Sequence, residues 1–359
     1  EAIGNAQIKI ITTAAALRIQ MAYLARKARA KVAALIAAPA STVIFTSGGT
    51  EANALAIESA VATGSRRLIV SAVEHDAVLE SARASGAEVE VLPVDAEGVA
   101  DLTWLADRLG RWNGDDGRPF VALMLANNET GVIQPVAEAA QIVRAAGGWL
   151  HVDAVQAAGK IAVDSRALGA DTLAISAHKI GGPQGVGALT FGPRATLVRR
   201  LHGGGQERSR RAGTENVPGI AGFGAAAEAA LEDLPVASAQ AAWRDAAEAA
   251  LLDAGATVLG RGAPRLPNTL CLAMPDFPAE LQVMNLDLAG VMASAGSACS
   301  SGKVKPSHVV AAMGREDLAG CAIRISGGWA TSAEDWNRFV EAWIRAHDRH
   351  AARRRAPAA

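Results

Sequence analysis

Between residues 43 and 193 short apolar runs alternate with longer segments rich in Ala, Glu and Arg. The runs fall at 43–45, 67–70, 89–92, 120–125, 149–152, 172–175 and 187–191, and Val, Ile and Leu dominate them. Short apolar runs separated by helix-forming segments are the rhythm of a mostly parallel sheet covered by helices. Residues 215–234 read as one long Ala-rich helix, and Pro235 marks a boundary after it. Beyond it the pattern predicts helices near 239–254, 279–289 and 331–347, and strands near 257–259 and 269–273. The fold class expected is α/β, with a large mostly parallel-sheet domain at 15–235. A smaller α+β domain follows at 236–359, on which residues 1–14 could pack.

The polar positions at the ends of the runs carry the chemistry, because ligands of open parallel sheets bind beyond the carboxyl ends of the strands. Lys179 follows the run 172–175 in Ser176-Ala177-His178-Lys179, just before a glycine-rich stretch. A lysine at the end of a buried strand is expected to be partly desolvated, which lowers its pKa and makes it nucleophilic. Asp153 closes the run 149–152 in His151-Val152-Asp153-Ala154-Val155-Gln156. Alone, each is equally a solvated side chain at a strand end. Together, a Schiff-base lysine and an aspartate able to pair with a pyridinium nitrogen form the protein half of a pyridoxal phosphate site.

Thr46-Ser47-Gly48-Gly49-Thr50-Glu51 leads from a strand into a helix whose first N–H groups are unpaired. Such a turn cradles phosphate, or is a plain turn with Thr50 as the helix cap. It is neither a Rossmann fingerprint nor a P-loop. Two more strand ends add Glu74-His75, whose ring could stack on a planar cofactor, and Asn127-Asn128-Glu129-Thr130-Gly131, whose amide could meet a phenolic oxygen.

Length and composition narrow the setting. The chain has 359 residues, half of them hydrophobic, and a formal net charge of −1. Two domains are expected, and the charge balance speaks for neither nucleic acid nor an anionic membrane as partner. The basic stretch 349–355 reads as a helix end. No run is long enough to span a bilayer, and the first residues do not read as a signal peptide. The three cysteines, Cys271, Cys299 and Cys321, form no Cys-x-x-Cys pair. They support neither a disulfide framework nor a zinc site, and fit a cytoplasmic enzyme with free thiols. Cys271 and Cys321 lie in apolar runs and read as core. Cys299 lies in a small, glycine-rich segment at 293–302 that cannot pack a core and reads as a mobile surface loop. Exposure and the nearby Lys303 and Lys305 favour a reactive thiolate there.

Ser-Gly-Gly-Thr-Glu-Ala-Asn, Glu-His, Asn-Asn-Glu-Thr-Gly, His-Val-Asp-Ala-x-Gln and Ser-x-His-Lys occur in this order. The set resembles the cysteine desulfurases, class V enzymes of pyridoxal phosphate fold type I, over residues 28–343. Gly-Ser-Ala-Cys-Ser-Ser-Gly, with Lys305-Pro306-Ser307-His308-Val309 after it, is similar to the NifS/IscS-like group with its long cysteine loop. The resemblance implies that Lys179 binds the cofactor, Asp153 pairs with its pyridine nitrogen and His75 stacks on its ring and carries protons. Asn128 and Gln156 would touch the ring oxygen, and Gly49, Thr50, Ser176 and His178 the phosphate. Thr214, in Arg210-Arg211-Ala212-Gly213-Thr214, would reach the phosphate of a neighbouring subunit, which implies a homodimer with shared sites. Arg324, together with Asn128, would bind the substrate carboxylate, a task for which the planar guanidinium is suited.

The activity implied is removal of sulfur from L-cysteine, giving L-alanine and a persulfide on Cys299. That sulfur would pass to a protein acceptor such as an iron–sulfur scaffold, and Cys299 could transiently ligate a cluster. No resident metal is expected. Residues 1–21 depart from the family's pattern. The family usually begins with a strand near Leu-Asp-Asn-Asn-Ala-Thr-Thr, followed by Gly-Asn-Pro-Ser and a histidine. Only Gly4-Asn5 survives here, so the channel wall that the family builds there is not predicted.

Overall fold

The structure is a computed structural model that describes residues 2–296 and 305–355. Seven strands build the large sheet: β1 (Val43–Thr46), β2 (Arg67–Ser71), β3 (Glu88–Leu92), β4 (Phe120–Ala122), β5 (Trp149–Asp153), β6 (Thr172–Ser176) and β7 (Gly187–Phe191). Their spatial order is β1-β7-β6-β5-β4-β2-β3. β3, β2, β4, β5 and β6 pair in parallel, while β7 runs antiparallel to both β6 and β1. All seven predicted strands are present; regular β4 ends at Ala122, and the amides of Leu123 and Leu125 continue to bond the His151 and Asp153 carbonyls of β5. β3 closes one edge with Glu88 and Glu90 tied to Arg67, and charge on an edge strand discourages further pairing.

The two-residue period of each strand sorts the sheet into two faces. Ile69, Val121, Leu150, Val152, Leu173 and Ile175 pack into one cluster. There they meet α1 (Ala2–Leu35), α4 (Leu102–Gly110), α5 (Val136–Ala145) and α7 (Val217–Glu232). Leu68, Val70, Phe120, Ala122 and Trp149 face the other way, toward α2 (Gly49–Ala62) and α3 (Asp76–Ala84). Trp149, His151 and Asp153 therefore point to the α2 side. α1 is a helix the sequence pattern did not predict over residues 1–21. Its later turns lie close along α7, where a Cβ on Gly224 would come within 2.7 Å of Ala28 Cβ.

After the single turn α6 (Gln206–Ser209) and α7, the chain enters α8 (Leu234–Asp253) without a linker. The junction of the two helices at Asp233 lies where the sequence marks a boundary, next to Pro235. Pro235 sits in the first turn of α8, where its missing N–H costs nothing. A second sheet, ordered β10-β11-β9-β8, is built from β8 (Thr257–Val258), β9 (Thr269–Ala273), β10 (Ser294–Ala295) and β11 (Ala322–Ser326). It packs with α8, α9 (Ala279–Leu288) and α11 (Ala333–Arg355) around Leu251, Leu272, Phe277, Leu286, Phe339 and Trp343. The basic stretch at 349–355 is the end of α11, as expected. A third cluster joins the two sheets. Val73 and Met124 from the large sheet's strand ends meet Cys271, Ala273 and Ala322, and α10 (His308–Ala312) supplies Val309 and Val310. Among the described residues no helix is long and apolar enough to cross a membrane.

Candidate active site

Asp153 closes β5 at the carboxyl end of the sheet and is 6% exposed. Its Oδ1 accepts the Val155 amide at 2.9 Å and its Oδ2 the Asn53 amide at 2.7 Å. Burial pushes its carboxyl above the usual range, and the bonds from Val155 and Asn53 oppose that, as do His75 and Lys179. Behind Asn53 the polar contacts continue. Asn53 Oδ1 lies 2.9 Å from His151 Nε2, His151 Nδ1 lies 3.0 Å from Thr172 Oγ1, and Trp149 Nε1 donates to that hydroxyl at 3.0 Å.

Donor chemistry gives this chain one direction. Asn53 gives its NH₂ group to Asp153, so its Oδ1 faces His151 and must accept the proton on Nε2. In the neutral ring Nδ1 is then an acceptor, so it takes the Thr172 hydroxyl hydrogen, while the Thr172 oxygen accepts from Trp149. Burial lowers the His151 pKa to about 3, so the ring is neutral as this requires. Asn53, His151 and Thr172 escaped the sequence reading. The signal that could have found them is the two-residue spacing Trp149, His151, Asp153, which puts all three on the face that α2 covers.

Ser176 ends β6, and a short 3-10 turn, residues 177–180, carries the next side chains. His178 and Lys179 are exposed on that turn. The strand buries its own residues but lifts Lys179 out of the core. The expectation of a lysine desolvated by the strand is therefore corrected. Ser176 Oγ and His178 Nδ1 are 2.9 Å apart. The turn before α2 lies opposite. Gly48, and not Thr50, occupies the cap position, and it makes no side-chain cap bond. The helix therefore opens with free N–H groups. A Cβ on Gly49 would come within 2.9 Å of Val155 Cγ2, so glycine lets this turn approach the end of β5.

His75 caps α3, its Nδ1 accepting the Ala77 amide at 3.0 Å, so the proton of the neutral ring sits on Nε2. The preceding Glu74 is fully buried, and its Oε1 accepts the Met124 amide. Burial, with the nearby Asp153 charge, pushes its carboxyl well above the ordinary range. From the second sheet, Arg324 donates to the Asn128 carbonyl at 2.7 Å and to Ser294 Oγ at 3.0 Å. Ser307 Oγ donates to Glu129 Oε2 at 2.6 Å, and His308 Nε2 to the Glu74 carbonyl at 3.0 Å. The small sheet is thus fastened to the strand ends that carry His75 and Asn128.

Gly49, Thr50, His75, Asn128, Asp153, Gln156, Ser176, His178, Lys179 and Arg324 all line one cavity of about 250 Å³. Thr214 does not. It is exposed and lines a separate cleft with Ser47, Gly185 and Arg211. Cys299 lies outside the described residues. Gly296, the last described residue before it, lines the cavity. Cys271 is buried as expected, and burial pushes its thiol far up. Cys321 is half-buried, so its place in the core is only partial. Among the described residues no cluster of three or more His, Cys, Asp or Glu is placed to hold a metal.

The cavity fits pyridoxal phosphate on its own chemistry. Asn128 Oδ1 is buried in its wall with no hydrogen-bond partner among the described residues, and such an atom calls for a polar ligand group. The cavity brings together the helix opening at Gly49, the Lys179 amine and a carboxylate held by donors. Such a cavity at the strand ends of this sheet defines a pyridoxal phosphate-dependent enzyme of fold type I. The model of the family described as "Aminotransferase class-V" matches residues 7–339. A "Cysteine desulfurase" of Cereibacter sphaeroides is 43% identical over 328 residues, covering 88% of this chain and 82% of that protein. A "Cysteine desulfurase IscS" of Dictyoglomus turgidum is 40% identical over 88% of this chain and 81% of its own length. The solved structure of a NifS-like protein from Rickettsia africae superposes with a TM-score of 0.83 at 31% identity, covering 91% of this chain and 89% of that one. The chain belongs to the class-V aminotransferase family, in its cysteine desulfurase branch.

Proposed function

We propose that this protein is an L-cysteine desulfurase that places the sulfur of its substrate on Cys299. The observation that carries the reading is the single cavity shared by Asp153, Lys179 and Arg324, with Gly296 at its wall. Bound pyridoxal phosphate supplies an electron sink that weakens bonds at the substrate α- and β-carbons. Lys179 would anchor it covalently through Nζ and, once displaced by substrate, take the α-proton. Asp153 would hold a proton on the pyridine nitrogen, and His75 would lie against the ring and pass protons through Nε2. Asn128 and Gln156 would face the ring oxygen, while Gly49, Thr50, Ser176 and His178 would hold the phosphate. Arg324 would fork around the substrate carboxylate, assisted by Asn128.

In the transfer step the Cys299 thiolate attacks the substrate Sγ. An S–S bond forms as the Cβ–S bond breaks, and the electron pair stays with the carbon skeleton, which leaves as L-alanine after protonation. The persulfide would then pass to a protein acceptor of the iron–sulfur scaffold kind, in the cytoplasm. Thr214, on its separate cleft, would serve the site of a second copy in a homodimer. Residues 15–235 would be the cofactor domain, and 236–359 the smaller domain that carries Cys299.

The test is Cys299→Ser beside Cys271→Ser. The Cys299 variant keeps the cofactor spectrum and its response to cysteine but releases no sulfide or alanine, because a hydroxyl is a far poorer nucleophile than a thiolate. The Cys271 variant loses some stability and keeps turnover. Sulfide release by the Cys299 variant, or an added sulfur found by mass analysis on Cys271 or Cys321, overturns the mechanism.

A further inference from the structure

Lys160 is a half-buried amine beside the cavity that the proposed chemistry leaves unused. It lies four residues past Gln156 in the segment after β5, and its side chain turns back. Nζ donates to the Gln156 carbonyl at 2.7 Å and to Gln156 Oε1 at 3.0 Å. The lysine is half-buried and lines a neighbouring cavity of about 330 Å³ with Lys179, Asp233 and Gln240. Desolvation, with the Lys179 and Arg324 charges, lowers its pKa to about 7.

Nζ donates to Oε1, so the end of the Gln156 amide that faces it is the oxygen. Nε2 is then the free end of the amide, on a residue that lines the cavity with Asn128 and Asp153. Without Lys160 either end of the amide could face that cavity, and half of the orientations would present an acceptor to any ligand oxygen there. The second bond, to the Gln156 carbonyl, pins the backbone from which the side chain springs.

We propose that Lys160 is a positioning residue: it locks the Gln156 carboxamide with its NH₂ group facing the cavity, so that the cavity offers a donor to an anionic oxygen of the bound cofactor. The inference rests on reading this cavity as the pyridoxal phosphate site. Binding of the cofactor by the unmutated protein is therefore the control, and failure of that control would count against the site itself, not against the lock.

The experiment is a double-mutant cycle on the holoenzyme with Lys160→Met, Gln156→Leu and the pair. Cofactor affinity and the pH at which the bound cofactor's absorbance changes are the readouts. Lys160→Met is expected to weaken affinity by about three- to tenfold, the worth of one hydrogen bond, and to move the absorbance transition to higher pH. Gln156→Leu should do at least as much, and the pair no more than Gln156→Leu alone. Lys160→Arg, which keeps the donors, should lie nearer the parent than Lys160→Met. Effects that multiply in the pair, or a Lys160→Met protein with unchanged affinity and spectrum, overturn the lock. If Lys160→Met does not fold, Lys160→Gln takes its place in the cycle with the same expectations.

Discussion

Asp153 and Lys179 follow neighbouring strands, β5 and β6, and the protein holds them in opposite ways. Asp153 is buried at the end of a one-directional chain of hydrogen bonds through Asn53, His151 and Thr172 to Trp149. Lys179 stands exposed on a short turn beyond its strand. A group that must keep one charge distribution in place benefits from donors fixed before the ligand arrives. A group that must form and break a covalent bond needs reach and freedom. The fold supplies a buried, hydrogen-bonded carboxylate from the sheet face and an exposed amine from the turn within one cavity.

The largest effect should come from Lys179→Ala. Turnover of cysteine should fall by at least the 10²- to 10⁴-fold typical of a lost proton-transfer group, and no reducible lysine adduct should remain. The melting behaviour of the apo-protein should barely move, within about 0.5 kcal/mol, because the side chain is exposed. A large loss of stability would show that the turn is part of the packed frame after all.

The opposite profile is expected for His151→Leu. It leaves Asn53 Oδ1 buried without its partner and the Thr172 hydroxyl hydrogen without an acceptor, although Trp149 still donates to that oxygen, at about 1–3 kcal/mol for each unsatisfied group. Denaturant unfolding of the apo-protein should show that loss. Cofactor affinity should fall as Asn53 loosens beside Asp153, while the residual turnover stays above that of Lys179→Ala.

The same histidine predicts a pH dependence. Its folded pKa, about 3, lies below its ordinary value of 6.5, so on acidification the unfolded chain takes up the proton first. Stability is then present above about pH 6.5 and is lost as the pH falls toward about 3. Unfolding midpoints measured from pH 7 to pH 4 should decline in the parent, and the decline should flatten in His151→Leu.

Glu74→Gln should have the smallest effect. The Glu74 carboxyl is pushed up by burial, so the folded state holds its proton more tightly than the unfolded one. Its contribution is fully present at acid pH and is lost as the pH rises through the raised value. The amide keeps the acceptor for Met124 and cannot ionise, so the variant should match the parent at mild acid pH and exceed it in alkaline buffer. An unchanged profile would show that Glu74 is not held neutral.

The parts legible in the sequence were those written in contiguous residues. Seven apolar runs marked the seven strands, and Lys179, Asp153, His75 and Asn128 stood at their ends. What escaped depends on pairing across the chain. That His151 meets Asn53 follows from α2 lying over β5, a contact 98 residues apart in sequence. The exposure of Lys179 depends on a turn whose residues give no apolar signal. Lys160 looks like any surface lysine until its side chain is seen folded back onto Gln156. Pro235 marked the junction of two helices, where Asp233 closes α7 and leads directly into α8. Helical structure over α1's early residues had no family motif to announce it.

The single antiparallel strand of the large sheet also constrains the order in which the protein can be made. β1 touches no strand but β7, whose partners Gly187–Phe191 come more than 140 residues later in the chain. Contacts between segments so far apart are slow to form, because a long loop must close before they are rewarded. While the ribosome is still adding residues ahead of β7, β2 to β6 can pair among themselves but β1 has no edge to join. The Ser47–Gly49 turn hangs directly from β1, so the anion cradle is among the last parts of the large sheet to be assembled. A nascent chain truncated before residue 187 should therefore fail to retain the cofactor even though Asp153 and Lys179 have both been synthesised.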